Sequence, residues 1–302
     1  MRETLIIDKL NWHHIVDPKD EDLKFLEDNF KFHPLDIEDC RSFNQRPKID
    51  VYDDYFFLIF HFPVYDKWNH FMKTHEVKVF WGHDFLITIG KSSWVIRDLF
   101  NNAKDPADIN GFRNIHSTDF LLYKILESLM ISTLAMINKL GLEVDVINRE
   151  LFNKKAERTI EKISVTRRNI ILLNTTFKPQ LRLFQKLESG IVAGFAKDME
   201  EYWGNILDYY QKMWDMIEDY QEMIEGLSKT FDSLQTNRTN EIIRILTFFS
   251  TIMLPLTLIA SLYGMNIPLP FQQEPNSFWY LILVLASIVF LLIVYFKRRK
   301  WL

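Results

Sequence analysis

Hydrophobic positions change their period along this chain. Up to residue 116 they come in short runs bounded by polar turns. Leu5-Ile6-Ile7 reads as a short strand. Lys48–Tyr52 and Tyr55–Phe62 are rich in β-branched and aromatic residues, with Asp53-Asp54 as the turn of a hairpin. Glu76–Trp81 alternates polar and apolar before Gly82-His83-Asp84 turns the chain into Phe85–Ile89. Asp20-Glu21-Asp22 sets carboxylates where the first turn of a helix favours negative charge. The pattern predicts an α+β domain over residues 1–116, a mixed sheet with helices packed on it.

From Ser117 the period lengthens. Ser117-Thr118-Asp119 offers an N-cap and an acidic first turn. Leu121, Leu122, Ile125, Leu126, Leu129, Met130, Thr133 and Ile137 then recur at spacings of three and four. The segment Leu181–Glu188 continues in this way, and Gly190 and Gly194 mark a break. From Asp198 a second helical run carries Tyr202, Ile206, Tyr209, Met213, Ile217, Ile224 and Phe231 and needs no stop before Pro255. That is far longer than the ~10–14 residues of an average helix. Residues 117–240 are therefore expected to be a helical region ending in a long stalk helix. The stalk's charges are mostly acidic, among them Asp198, Glu201, Asp208 and Asp215. Such a face is either simply solvated or draws cations toward one end of the molecule.

Residues 241–302 read as a transmembrane hairpin. The stretches 242–263 and 278–296 each approach the ~20 residues that cross a bilayer as a helix. Lys297-Arg298-Arg299-Lys300 follows the second span, and Arg238 and Arg244 lie at the start of the first. The loop 264–277 contains no Lys or Arg and only Glu274 as a charge. The positive-inside rule puts both termini, and the tail 297–302, in the cytoplasm. The opening MRETLIIDKLNW, which has no signal-peptide core, agrees. Trp279, Tyr280 and Trp301 suit the interfacial belts. The chain is thus expected to be an integral membrane protein of the cell membrane, in contact with lipid.

The first span is more than an anchor. Asn240, Thr247, Ser250, Thr251, Thr257 and Ser261 fall within a stripe of roughly 120° when the sequence is wound as a helix. Ile243 and Leu254 share that stripe, and Pro255 lies inside the helix. A polar face in lipid must meet another helix or water, so the stripe is either helix–helix glue or the wall of a lumen. The second span has only Ser287 and reads as lipid-facing. Two helices cannot enclose a hydrated pore, so a lumen requires several copies of the chain.

Composition adds exclusions. The formal net charge of −4 and the absence of a basic surface before the C-terminus exclude a nucleic-acid partner. One cysteine, Cys40, allows no intrachain disulfide. No phosphate-binding glycine loop and no catalytic constellation is visible, so neither an enzyme nor a catalytic cofactor is expected. The eight histidines, His13, His14, His33, His61, His70, His75, His83 and His116, include no pair at the helical i,i+4 spacing of zinc sites.

The first span ends in Ser261-Leu262-Tyr263-Gly264-Met265-Asn266, followed by Ile267-Pro268. Gly264 suits the point where a helix stops, and the Asn266 amide oxygen can accept hydrogen bonds from a metal's water shell. Tyr-Gly-Met-Asn closing the first of two C-terminal spans, with Leu254-Pro255-Leu256-Thr257 upstream and a basic tail behind, resembles the CorA family of divalent-cation channels. His33-Pro34-Leu35-Asp36-Ile37-Glu38-Asp39 and Gln45-Arg46-Pro47-Lys48 also resemble that family. The resemblance implies passive uptake of Mg²⁺, with Co²⁺ or Ni²⁺ as further ions, through a funnel-shaped homopentamer. It implies a selectivity motif at Gly264, Met265 and Asn266 and a pore lined from Asn240 through Ile243, Leu246, Thr247, Ser250, Leu254, Thr257 and Ser261. Ile243, Leu246 and Leu254 take the place of hydrophobic constrictions. In relatives a stalk carboxylate binds an inhibitory ion; its place falls on Asn205, an amide, with Asp208 one turn on as a substitute for a regulatory Mg²⁺. A Zn²⁺ transporter of the same superfamily, or a membrane-anchored sensor or scaffold, is the alternative.

Overall fold

Six strands form one sheet, β1 (Arg2–Ile7), β2 (Leu10–Val16), β3 (Lys48–Val51), β4 (Tyr55–Asp66), β5 (Phe71–Gly82) and β6 (Phe85–Gly90). Their spatial order is β1-β2-β6-β5-β4-β3. Only β2 and β6 of these run parallel; the other neighbours are antiparallel. The helices among the described residues are α1 (Asp20–Asn29), α2 (Pro34–Arg41), α3 (Trp94–Lys104), α4 (Thr118–Glu150), α5 (Ala156–Glu188), α6 (Glu200–Tyr263) and α7 (Ser277–Arg298). This computed structural model describes residues 2–66, 68, 71–91, 94–104, 115–151, 156–265 and 276–299. The chain divides into two units, Met1–Ser228 and Lys229–Leu302, and α6 contributes residues to both.

In the first unit the sheet is covered on both faces. Ile15, Phe57, Ile59, Phe80, Ile87 and Ile89 point to α1 and α2, where Leu23, Leu26 and Ile37 complete the core. Their strand neighbours point the other way: Trp12 meets Phe100 of α3 at 4.9 Å between ring centroids, and Phe60 stacks on Phe184 of α5 at 5.5 Å. Every residue from Tyr55 to Phe60 is buried. A strand buried on both faces reads as a continuous apolar run, so β4 lacks the polar–apolar alternation of a half-exposed strand. Each such Phe or Leu contributes roughly 1.5–3 kcal/mol by leaving water.

Lys78 is one of the charged residues buried in this layer, with Glu76 and Asp36, and has no exposed surface. Its Nζ donates to the Asp39 carbonyl at 2.7 Å and to the Ser42 carbonyl, closing the C-terminal end of α2. Glu76 Oε2 lies 3.5 Å from the same ammonium, and burial pushes the pKa of Lys78 down.

The expected hairpin turns, the α1 start and the Ser117 cap are all present. Ser117 Oγ accepts from the Phe120 amide at 3.2 Å. Strand β2, with its two histidines, and the short helices α2 and α3 are additions to the sequence reading. The helical region also divides where no Gly or Pro stands: α4 ends at Glu150 and α5 begins at Ala156. The break at Gly190 and Gly194 is real, since both adopt left-handed φ of +70° and +69°. A Cβ at Gly194 would come within 2.3 Å of Asp119 Oδ1 and 2.8 Å of the Trp81 ring. The adjacent Phe195 amide donates to that Asp119 oxygen at 2.8 Å, tying the α5–α6 connection to the start of α4.

Candidate functional site

Among the described residues three helices are long and apolar enough to cross a membrane: α4, α6 and α7. They differ in what covers them. Half of the apolar window of α4 is buried inside the first unit, where Leu122, Ile125, Leu126 and Leu129 serve the core. The windows of α6 and α7 have no buried residue. Apolar surface left bare on this scale requires lipid or other helices.

In the second unit α6 and α7 meet along one side of each. Phe248 contacts Phe296 edge-on, with centroids 5.3 Å apart, and Phe296 is 6% exposed. On α6 the residues half covered between Phe248 and Ile259 are Phe248, Thr251, Ile252, Pro255, Leu256 and Ile259. Wound at ~100° per residue, their side is centred roughly 130° away from the centre of the polar stripe. Asn240, Ile243, Leu246, Thr247, Ser250, Leu254, Thr257 and Ser261 are all exposed. Apart from Thr251, which is half covered at the edge nearest α7, the stripe is not glue within the hairpin.

The stripe alternates in character along the helix axis. At ~1.5 Å per residue, Asn240 is followed by Ile243 and Leu246 about 5–9 Å on, and by Thr247 and Ser250 about 11–15 Å on. Leu254 comes about 21 Å along, then Thr257 and Ser261 about 26–32 Å along. The Thr257 hydroxyl donates to the Met253 carbonyl at 2.8 Å and that of Thr251 to the Thr247 carbonyl at 2.7 Å. Their hydrogens are spent on the helix, so these oxygens offer lone pairs to whatever the face meets.

The helix closes with Gly264 N donating to the Ala260 carbonyl at 3.0 Å and Met265 N to the Leu262 carbonyl at 3.2 Å. Gly264 is not left-handed here, unlike Gly190 and Gly194. Its benefit is space, because a Cβ would sit 3.3 Å from the Ala260 carbonyl oxygen. Met265 is exposed, and Asn266 lies outside the described residues.

Asn205 and Asp208 both lie on the part of α6 in the first unit, and both are exposed. Asn205 has a partner in its own chain: its Nδ2 donates to the Tyr123 hydroxyl at 3.0 Å. That hydroxyl donates in turn to Glu127 Oε1 at 2.7 Å, and Lys124 holds the other Glu127 oxygen at 2.9 Å. Burial and the Glu127 carboxylate push the Tyr123 phenol up to about 12. This relay ties α6 to α4. The Tyr123–Glu127 spacing of four on one helix was its only trace in the sequence. Among the described residues no three His, Cys, Asp or Glu side chains gather to hold a metal. The histidines serve the fold: His14 Nδ1 lies 2.9 Å from Thr88 Oγ1, His13 Nδ1 lies 2.9 Å from Thr4 Oγ1, and His33 caps α2. His70 lies outside the described residues.

Known proteins share this architecture. The chain is 27% identical to the cobalt/magnesium transport protein CorA of Thermotoga maritima, over 90% of this chain and 78% of that one. It is 26% identical to the putative metal ion transporter YfjQ of Bacillus subtilis, over 96% of this chain and 89% of that one. The solved structure of the CorA magnesium transporter from Methanocaldococcus jannaschii superposes with a TM-score of 0.84 at 22% identity, covering 97% of this chain and 92% of that one. Residues 8–298 match the family described as CorA-like Mg²⁺ transporter protein, and with nearly all of its length accounted for the chain belongs to that family.

Proposed function

We propose that this protein is a passive channel for Mg²⁺, and for Co²⁺ or Ni²⁺ in its place, formed by five copies around a lumen lined by α6. The observation that carries the reading is the banded stripe on α6, which α7 leaves uncovered although it includes an amide and several hydroxyls. Thr251 and Thr257 give their hydroxyl hydrogens to their own helix, but the exposed Asn240 amide and the lone pairs along the stripe still call for polar surroundings rather than hydrocarbon. A ring of copies turns the stripe inward. Asn240 then stands at the inner mouth, and Gly264, Met265 and Asn266 at the outer one. Both termini lie in the cytoplasm, as the basic residues after α7 favour.

Mg²⁺ releases its waters slowly, so first selection acts on the hydrated ion. Its water shell points hydrogens outward. A ring of Asn266 amide oxygens and the lone pairs of back-bonded threonines accept from those waters. Ile243, Leu246 and Leu254 make apolar bands that stop the ion by dewetting when narrow. Asp208, exposed on α6, supplies a carboxylate for a regulatory Mg²⁺ held between copies.

The test is flux into liposomes containing only this protein, with Mg²⁺, Co²⁺, Ni²⁺ and Zn²⁺ in turn. Wild type passes Mg²⁺ and correctly inserted Asn266→Ala does not. Near-normal uptake by that variant removes the selectivity assignment, and no flux of any ion by wild type removes the channel.

A further inference from the structure

At the Arg299 end of the hairpin, α6 and α7 leave a cavity of about 350 Å³ between them. Its walls are Thr247 and Thr251 from α6 and Tyr295, Phe296 and Arg299 from α7. Cation transport makes no evident use of a guanidinium here, since Arg299 repels the ion. On α6 the cavity meets the edge of the stripe nearest α7, where Thr251 is half covered. Helix α7 has 22 residues, so at ~1.5 Å each it spans about the thickness of the hydrocarbon layer and its ends meet the two headgroup regions. Arg299 follows its last residue, at headgroup depth.

We infer that this cavity binds the headgroup of one anionic phospholipid. Arg299 presents a planar fork of donors that fits two oxygens of a phosphodiester. The Tyr295 hydroxyl, on the helix that Arg299 caps, completes the donor set. The hydroxyl hydrogen of Thr251 is already given to the Thr247 carbonyl, so Thr251 lines the cavity without offering a donor. Phe296 supplies an apolar wall for the glycerol and the first acyl carbons. Lys297 and Arg298 add positive potential beside it, which disfavours a choline headgroup and favours one with a net negative charge. The volume falls in the ~300–1,000 Å³ range of ligand sites, more than a bare phosphate fills. The occupant bridges the two spans on their shared flank and stiffens the hairpin where it leaves the membrane. The inference rests on α6 and α7 lying in a membrane and is independent of which ion the protein moves.

Native mass spectrometry of the detergent-extracted full-length protein tests it, with added phosphatidylglycerol, phosphatidylcholine or inorganic phosphate as separate probes. Wild type is expected to retain phosphatidylglycerol and to lose it about tenfold more readily when Arg299→Gln removes the charged donor. Arg298→Gln makes the same change of charge outside the cavity and is expected to alter retention less than about twofold. Tyr295→Phe, which keeps every charge and the ring, is expected to cost roughly threefold, and it stands in should Arg299→Gln fail to insert. Inorganic phosphate in millimolar excess is expected to leave the bound lipid in place. Equal retention of phosphatidylcholine, equal losses in Arg298→Gln and Arg299→Gln, an unchanged Tyr295→Phe, or displacement by phosphate would each overturn the site. A protein that fails to extract with the membrane fraction at all would instead overturn the membrane placement.

Discussion

Asn205→Asp separates two views of one position. If Asn205 merely stands where a regulatory carboxylate belongs, an aspartate there is harmless to the fold. In the structure the amide is engaged as a donor. It donates to the Tyr123 hydroxyl at 3.0 Å, while that hydroxyl donates to Glu127 at 2.7 Å. An aspartate cannot donate. The phenol has one hydrogen for two carboxylates, and both lie against the same phenol oxygen, which is on a side chain only 5% exposed. Losing the donor costs about 1 kcal/mol. Two carboxylates roughly 6 Å apart repel by about 0.7–3 kcal/mol for an effective dielectric of 80 down to 20. Residue 205 is exposed and Lys124 partly neutralises Glu127, so the lower end applies. The expected loss is about 2 kcal/mol, or a fall in melting temperature of roughly 4–8 °C for a unit of this size. The assay is thermal melting of the full-length protein in detergent, without divalent ions. Glu127→Gln added to Asn205→Asp restores one donor and removes one charge, so at least half of the loss should return. The cost should also shrink as pH falls, because protonating either carboxylate relieves the pair. An Asn205→Asp protein that melts within about 1 °C of wild type, or a double variant no better than the single one, refutes the relay.

Other outcomes follow from the same geometry. Leu246→Ser should raise leak current at high internal Mg²⁺, and a cysteine there should react with water-borne reagents; an unchanged leak and an unreactive cysteine take Leu246 out of the pore wall. Asp208→Asn should raise the internal Mg²⁺ needed for half-inhibition roughly threefold, the worth of one exposed carboxylate, and superimposable inhibition curves place regulation elsewhere. Burial pushes His14 down to about 4, below its usual value of 6.5, so the unfolded chain binds more protons between those values. Stability present above pH 6.5 should therefore be lost as pH falls toward 4, by up to roughly 3 kcal/mol. His14→Gln should flatten that slope in pH-dependent melting. Gly194→Ala should lower stability by more than about 1 kcal/mol, since it combines a left-handed φ with contacts on Asp119 and Trp81; an unaffected melting temperature contradicts the tight α5–α6 connection.

What was legible in the sequence follows from what sets each element. Long periodic runs and turns with a local cause were readable: Ser117 needs only its own helix to act as a cap, and Asp53-Asp54 needs only the two strands it joins. Strand β2 was not, because its burial comes from partners far away in the chain. His14 sits at a core position through Thr88 and Phe100, and no local pattern turns a histidine pair into a buried strand. The end of α4 was hidden for the opposite reason, since Leu151-Phe152-Asn153-Lys154-Lys155 contains neither Gly nor Pro, the strongest punctuators of a helix, and a lone Asn is a weak signal. At the candidate site the stripe on α6 could be drawn from spacing alone. Whether α7 of the same chain covers the stripe needed the structure, in which Phe248 meets Phe296 while most of the stripe stays exposed.

The same placement bears on the chemistry of the face. A threonine in a helix can give its hydroxyl hydrogen to the carbonyl four residues back, and Thr251 and Thr257 do so. This satisfies a donor that would be costly in hydrocarbon and leaves two lone pairs directed away from the backbone. A face built this way accepts hydrogen bonds more readily than it donates them. Bare anions, which need donors, gain little from Thr251 and Thr257, whereas the outward hydrogens of a hydrated cation would find acceptors there. Between the bands Ile243, Leu246 and Leu254 offer nothing to those waters. In the proposed channel an ion that keeps its shell must cross such a girdle wet or not at all, so control of passage would fall to the width at these leucines and isoleucine. Selectivity for charge and control of flow are then assigned to different residues of one helix face. Changing a polar band should alter which ion passes, and changing an apolar band should alter when.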